Sequence, residues 1–317
     1  MPSTTSNRKY EKAVKAVAIT GMGVVSPLGS DIQTFWDNLL LGKSGISHVQ
    51  EFSDLPVTFG GKASGFDPER HLGGKELRHM DRYAQMELSA CLDACAQARL
   101  TPEACAPHRL GVLIGSGAGG IGTLEEQMGV FFSRGARRLS PVTVPMFITN
   151  VGPAECAKRI GAKGPGFSVS SACATAGHAL AMAARLIQAG DADCMVAGGV
   201  EACLTPFALS AFASMRALST RNDDPQGASR PFSADRDGFV MAEGGGVFVL
   251  EGLDHARNRG AEVLAVLEGV GMTMDAYHMV APDPEGTSVV HAIGRALSDA
   301  GLEPGDIGYI NAHGTST

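Results

Sequence analysis

Short apolar runs alternate with helical patterns along this chain, and that alternation limits the fold more than any other feature. The runs are AVAITGMGVV (16–25), RLGVLIGSG (109–117), FSVSS (167–171), CMVAGGV (194–200) and GGVFVLE (245–251). Continuous apolar runs of this length are expected as buried parallel strands. Between them MELSACLDACAQARL (86–100) and ATAGHALAMAARLIQAG (174–190) carry helical periodicity. Strands alternating with helices build a wound α/β sheet.

The pattern then begins again. AEVLAVLEGVGMT (261–273) is strand-like, SVVHAIGRALSDAGL (288–302) helical and DIGYINAHG (306–314) strand-like. AQARLTPEACAPHRLGVLIGSG and LSDAGLEPGDIGYINAHG share a helix closing on Ala-x-Leu, a turn with Pro and Glu, and an apolar strand running into Gly. This loose repeat predicts two similar halves. The first half shows about five strands and the second about two before Thr317. A half short of strands leaves apolar edges uncovered, so the chain is expected to be a fragment or to be completed by something else.

At 317 residues the chain can bury a large core. Its 41 glycines suit many tight strand-to-helix turns, and a net charge of −7 argues against nucleic acid while leaving local basic patches open. The opening MPSTTSNRKYEKAVKAV has no apolar signal segment and is too short for a transit peptide. The uncharged run 164–184 is too rich in Gly and Ser for a membrane span. A soluble cytoplasmic protein is expected. The seven cysteines, at 91, 95, 105, 156, 173, 194 and 203, contain no C-x-x-C and no paired Cys/His spacing of a zinc site. No metal is therefore expected, and Cys91 and Cys95, one helical turn apart, read as buried thiols of a reducing compartment.

Cys173 is different. FSVSS, a tight turn and the alanine-rich run ending at Gly190 read as strand, turn and helix. The thiol then sits at a helix N-terminus, where open N–H groups and the helix dipole favour an anion, and a thiolate is the attacking form of cysteine. A small buried residue is the ordinary alternative. GSGAGG (115–120) fits the dinucleotide fingerprint after a strand. The acid required roughly 20 residues on is missing, because the chain there reads RRLSPVTVP. The polar stretch 219–245, dense in Asp and Arg, is long enough to be a functional loop.

Six motifs in one order, VAITGMGVVSPLG (17–29), SACATAGHA (171–179), RALSTRNDDPQGASRPF (216–232), RDGFVMAEGGG (236–246), DAYHM (275–279) and NAHGTST (311–317), closely resemble the elongating β-ketoacyl-acyl-carrier-protein synthases of type II. The resemblance covers nearly everything from about Ala16. It implies a layered α/β thiolase-like fold of two similar halves, here a tail over 1–15, a nucleophile half over 16–256 and the incomplete start of a second half over 257–317. It further implies decarboxylative condensation of acyl- with malonyl-carrier protein through an acyl-cysteine, with no cofactor beyond the carrier's phosphopantetheine. Cys173 matches the nucleophile and His313 the first catalytic histidine. Thr315 and Thr317 match hydroxyls on the phosphopantetheine arm. Ala118, Val142, Thr143 and Phe212 match the acyl pocket, the first three often larger in relatives. Lys75, Arg78, Arg137, Arg138 and Arg216 match a carrier-docking surface. His178 reads as helix packing. The family is usually homodimeric, without nucleic-acid or membrane partners. The second catalytic histidine, a lysine and a glycine-rich loop are missing, which implies that residues 1–317 alone do not condense. An inactive ketosynthase-like partner or fragment, and more distantly a nicotinamide-dependent dehydrogenase, are the competing readings.

Overall fold

A computed structural model describes residues 15–101 and 103–317; most of the N-terminal tail thus lies outside the described residues. β1 (Val17–Val25) leads through α1 (Ile32–Leu40) to the short pair β2 (Ser47–His48) and β3 (Phe59–Gly60). α2 (Gly74–Leu77) and α3 (Arg82–Gln97) precede β4 (Leu110–Gly115). α4 (Ile121–Arg134), α5 (Thr143–Phe147) and α6 (Val151–Ile160) separate β4 from β5 (Gly166–Phe167). Then come α7 (Thr175–Ala189), β6 (Cys194–Glu201), α8 (Pro206–Ser214), β7 (Gly244–Gly252), α9 (Leu253–Asn258), β8 (Ala265–Leu267) and α10 (Thr287–Ala300).

Six strands form one sheet in the order β5-β4-β6-β7-β1-β8. Side chains alternate between the two faces of the sheet with a period of two, as pleated strands require. Val112, Ile114, Val196, Val247 and Val249 face α3 and α6, whereas Leu113, Met195, Ala197 and Leu250 face α7. With both faces covered, the runs are apolar throughout.

The expectation of parallel strands holds only for β4 with β5 and β6. β7 runs antiparallel to β6 and β1, and β8 antiparallel to β1. Helical crossovers link β4, β5 and β6, as parallel pairing demands. After β6 the chain stays beyond that strand's end through α8 and 219–243, and so re-enters the sheet in the opposite direction. A run buried on both faces carries no mark of its direction. Two strands are also shorter than expected. FSVSS contributes only Phe167, in the two-residue β5, and 261–273 only Ala265–Leu267. The expected strand at 306–314 has no sheet partner among the described residues, and Tyr309 and Ile310 stand 82% and 71% exposed.

The two-fold repeat has a physical core that its loose sequence match does not show. A Cβ on Gly21 or Gly23 would lie 2.1 or 1.9 Å from the carbonyl oxygens of Ala94 and Ala90 on α3. On Gly269 or Gly271 it would lie 2.2 or 1.9 Å from those of Ala296 and Ala292 on α10. Each half thus seats an alanine-bearing helix directly on a G-x-G segment.

Cys91, Cys95 and Cys156 are buried between α3 and α6, and with them is Glu87, fully buried with neither carboxylate oxygen hydrogen-bonded among the described residues. Burial pushes its carboxyl well above the ordinary range. The folded chain therefore keeps a proton that the unfolded chain releases above its ordinary value of 4.5. Stability must fall as pH rises from there, by up to about 1.4 kcal/mol per pH unit for one proton. Glu87→Met is expected to remove that slope and to stabilise the fold at pH 8 by roughly 1–3 kcal/mol. Urea melts of both proteins between pH 5 and 8 would show parallel pH dependences if Glu87 were ionised when folded.

Candidate active site

The chain leaves the sheet after Phe167 and turns sharply before α7. Ala172 takes a left-handed φ of 50°, a conformation a Cβ disfavours by about 1–2 kcal/mol. Cys173 follows in the 3-10 turn Ala172–Ala174, directly ahead of α7. The turn is tied down on both sides. Ser171 N–H donates to Thr175 Oγ1 at 2.8 Å, Ser171 Oγ meets His178 Nδ1 at 2.7 Å, and Ser170 Oγ donates to the Gly117 carbonyl at 3.3 Å. His178 thus fixes the turn that carries the thiol, a role more specific than helix packing. At its other end α7 closes on Gly190 in the left-handed region, as its sequence indicates.

The first turn of α7 lies on the sheet because glycines admit it. A Cβ on Gly115 would lie 2.3 Å from Thr175 Cγ2, and one on Gly199 2.7 Å from Ala176 Cβ. The helix N-terminus is thereby held over the ends of β4 and β6, beside a cavity of about 660 Å3. Cys173, Ala118, Ile121, Val200, Ala208 and Phe212 are among its lining residues, and Cys173 is the exposed cysteine of the chain.

Glu201, at the end of β6, forms part of the same wall. Its carboxylate accepts the Gly117 N–H at 2.8 Å, the Ala118 N–H at 3.2 Å and Ser116 Oγ–H at 3.0 Å. Burial pushes its pKa up, and those donors only partly offset the shift. The N–H groups of the glycine fingerprint therefore hold an internal carboxylate where a dinucleotide would need them for phosphate. Glu201 was not singled out from the sequence, although an acid closing the apolar run CMVAGGV was its visible signal.

The remaining expected site residues are distributed as follows. Ala118 and Phe212 line the Cys173 cavity; Val142 precedes α5, Thr143 begins it, and neither is among the cavity's lining residues. Thr143 Oγ1 instead donates to the Ser140 carbonyl at 2.7 Å. His313 is exposed and also outside that lining. Its segment is anchored to the polar loop: Ser316, 2% exposed, accepts the Arg230 N–H on Oγ at 3.0 Å and the Gly238 N–H on its carbonyl at 3.1 Å. Arg236 Nε donates to the Thr317 carbonyl at 3.0 Å, and Thr315 and Thr317 join hydroxyls at 2.7 Å. Arg230, paired with Asp235 and Asp237, stiffens the loop that receives them. Lys75, Arg78, Arg137, Arg138 and Arg216 are all exposed, and among the described residues none is ion-paired.

An exposed cysteine at the head of a helix, beside an apolar cavity on an α/β frame, is an arrangement suited to a thiol nucleophile. Comparison with known proteins narrows this. Residues 14–256 match the N-terminal domain of beta-ketoacyl synthase and 264–317 its C-terminal domain. The chain is 44% identical over 305 residues to 3-oxoacyl-[acyl-carrier-protein] synthase 2 of Synechocystis sp. and, equally, of Staphylococcus aureus, covering 96% of this chain and 73% of each relative. A beta-ketoacyl synthase from Burkholderia phymatum superposes with a TM-score of 0.87 at 32% identity, over 96% of this chain and 74% of its own. A type II polyketide ketosynthase solved with its acyl-carrier protein and bound to the hexaketide gives the same TM-score, identity and coverage. The chain belongs to the beta-ketoacyl synthase family.

Proposed function

We propose that this protein forms 3-oxoacyl thioesters from acyl- and malonyl-acyl-carrier protein, with Cys173 as the nucleophile. The observation that carries the reading is the seat of Cys173: exposed to a largely apolar cavity and held at the dipole head of α7. Its sulfur attacks the thioester carbonyl; a C–S bond forms to Cys173 and the carrier thiolate leaves. A thiolate suits both steps because it attacks well and departs well. The second carrier's malonyl group loses CO2, and its enolate carbon attacks the acyl-Cys173 carbonyl. The new C–C bond releases Cys173. His313 is assigned the hydrogen bond to the developing enolate oxygen, a stabilisation given where charge appears, and Thr315 and Thr317 the phosphopantetheine arm.

Family resemblance and exposure support the basic residues Lys75, Arg78, Arg137, Arg138 and Arg216 as the landing surface for an acidic carrier, whose approach the net charge of −7 would otherwise oppose. A homodimer is part of the same reading, and the outward Leu124, Met128, Phe131 and Phe132 of α4 favour a covering partner. No helix among the described residues is long and apolar enough to cross a membrane; a cytoplasmic location is part of the same reading. The carrier's arm is the only prosthetic group the reaction uses.

The test is acyl loading. Incubation with acyl-carrier protein, followed by peptide mass mapping, is expected to place the acyl group on Cys173 alone; acylation elsewhere, or none, refutes the assignment. The same assay probes the cavity. Burial of each added CH2 contributes roughly 0.8 kcal/mol, so Ala118→Ile, which fills the wall beside Cys173, should shorten the longest acyl chain loaded. An unchanged series would show that Ala118 does not set the depth.

A further inference from the structure

At the opposite end of β6 from the Cys173 cavity, the fold gathers three soft ligands from distant parts of the chain. Cys105 lies between α3 and β4, Cys194 opens β6 and His255 stands on α9. Their donor atoms all lie within 4.8 Å of one another. Cys105 and Cys194 are 3% and 0% exposed. Cys194 Sγ lies 3.7 Å from His255 Nδ1 and 3.5 Å from Glu251 Oε2. Tetrahedral zinc with bonds of about 2.3 Å to sulfur and 2.05 Å to nitrogen would separate those ligands by about 3.6 Å.

We infer that Cys105, Cys194 and His255 form a metal site for a thiophilic divalent cation, Zn2+ by chemistry. Binding converts two thiols to thiolates and releases two protons, so two thiolates, one neutral imidazole and Zn2+ sum to zero charge. Glu251 does not upset this balance, because Arg259 Nε holds its Oε2 at 2.7 Å. The same carboxylate oxygen meets His255 Nδ1 at 2.8 Å. That contact opens when Nδ1 takes the metal, and Nδ1 must then be unprotonated. The metal has a way in: the side chain of His255 is 26% exposed and lines a cavity of about 270 Å3 with Asp193 and Asp254. The other buried thiol group, Cys91, Cys95 and Cys156, has no such histidine beside it and is enclosed in the core. The spacing of 105, 194 and 255 matches no short zinc motif, which is why the sequence pointed to no metal.

The experiment uses the whole chain carrying Cys173→Ala, so that the exposed thiol does not compete. Under reducing, anaerobic conditions Co2+ is expected to bind at one equivalent with a thiolate-to-cobalt absorption band, and Zn2+ to displace it. Zn2+ should also raise the melting temperature. Cys105→Ser and His255→Gln, each confirmed folded by circular dichroism, should weaken binding at least about 100-fold and lose the thermal shift. A parent protein with no band at one equivalent, or a band that persists in both variants, overturns the site.

Discussion

Cys173→Ala is expected to abolish acyl loading and to lower acyl transfer by at least about 10³-fold, the scale on which an enzyme loses rate with its nucleophile. Its fold should survive. The Cys173 side chain is exposed, whereas α7 is fastened by Ala179, Ala183, Ala184 and Ile187 beneath it. The change lies in a 3-10 turn whose ties run through Ser170, Ser171, Thr175 and His178 and not through the sulfur. Stability should therefore stay within about 0.5 kcal/mol of the parent. Stopped acyl transfer with an unchanged melt is the expected pair of results. Residual loading of the Ala variant at a comparable rate would move the nucleophile elsewhere.

The second large effect is structural. Glu251 is completely buried and accepts from Thr20, His255, and Arg259 Nε and Nη2. Burial alone would raise its pKa, but the Arg259 and Thr20 hydrogen bonds more than offset this and leave it below the ordinary range. Arg259→Ala leaves that carboxylate buried without its cation, a loss of about 3–5 kcal/mol and of order 10 °C in melting temperature. The double change Glu251→Gln with Arg259→Met should recover much of it. The pH sign is opposite to that of Glu87. A depressed folded pKa gives stability that is present above 4.5, the ordinary value, and lost as pH falls through the folded value. Thermal melts at pH 7 and pH 4 measure both; an Arg259→Ala protein as stable as the parent at pH 7 would show that the pair contributes nothing net.

How much of this was legible depends on the range over which each feature is encoded. α7 and its stop at Gly190 follow from local rules, so the seat of Cys173 could be read from one stretch of sequence. Four of the five strand positions in the first half were visible for the same reason, while FSVSS contributes only Phe167 to β5. Strand direction was not, because Gly244–Gly252 is as apolar as a parallel strand and owes its orientation to where the chain returns from. Tyr309 and Ile310 have strand chemistry, yet a strand also needs a neighbour. GSGAGG reads as a phosphate cradle until Glu201, more than 80 residues later, is seen to occupy its N–H groups. Cys105, Cys194 and His255 are likewise brought together by the fold alone.

The glycine–alanine contacts under α3 and α10 set a gauge. In most sheet-and-helix layers the separation depends on how bulky the intervening side chains are, so it drifts as a core changes. Here carbonyl oxygens of Ala90 and Ala94 rest on the backbone of β1, and those of Ala292 and Ala296 on the segment just after β8, with no room for a single added carbon. The distance between helix and underlying backbone is thereby fixed by main chain at both places, independently of the residues filling the rest of each core. Two halves that now share little sequence can keep the same spacing, and with it a common frame in which residues from either one meet at a fixed height.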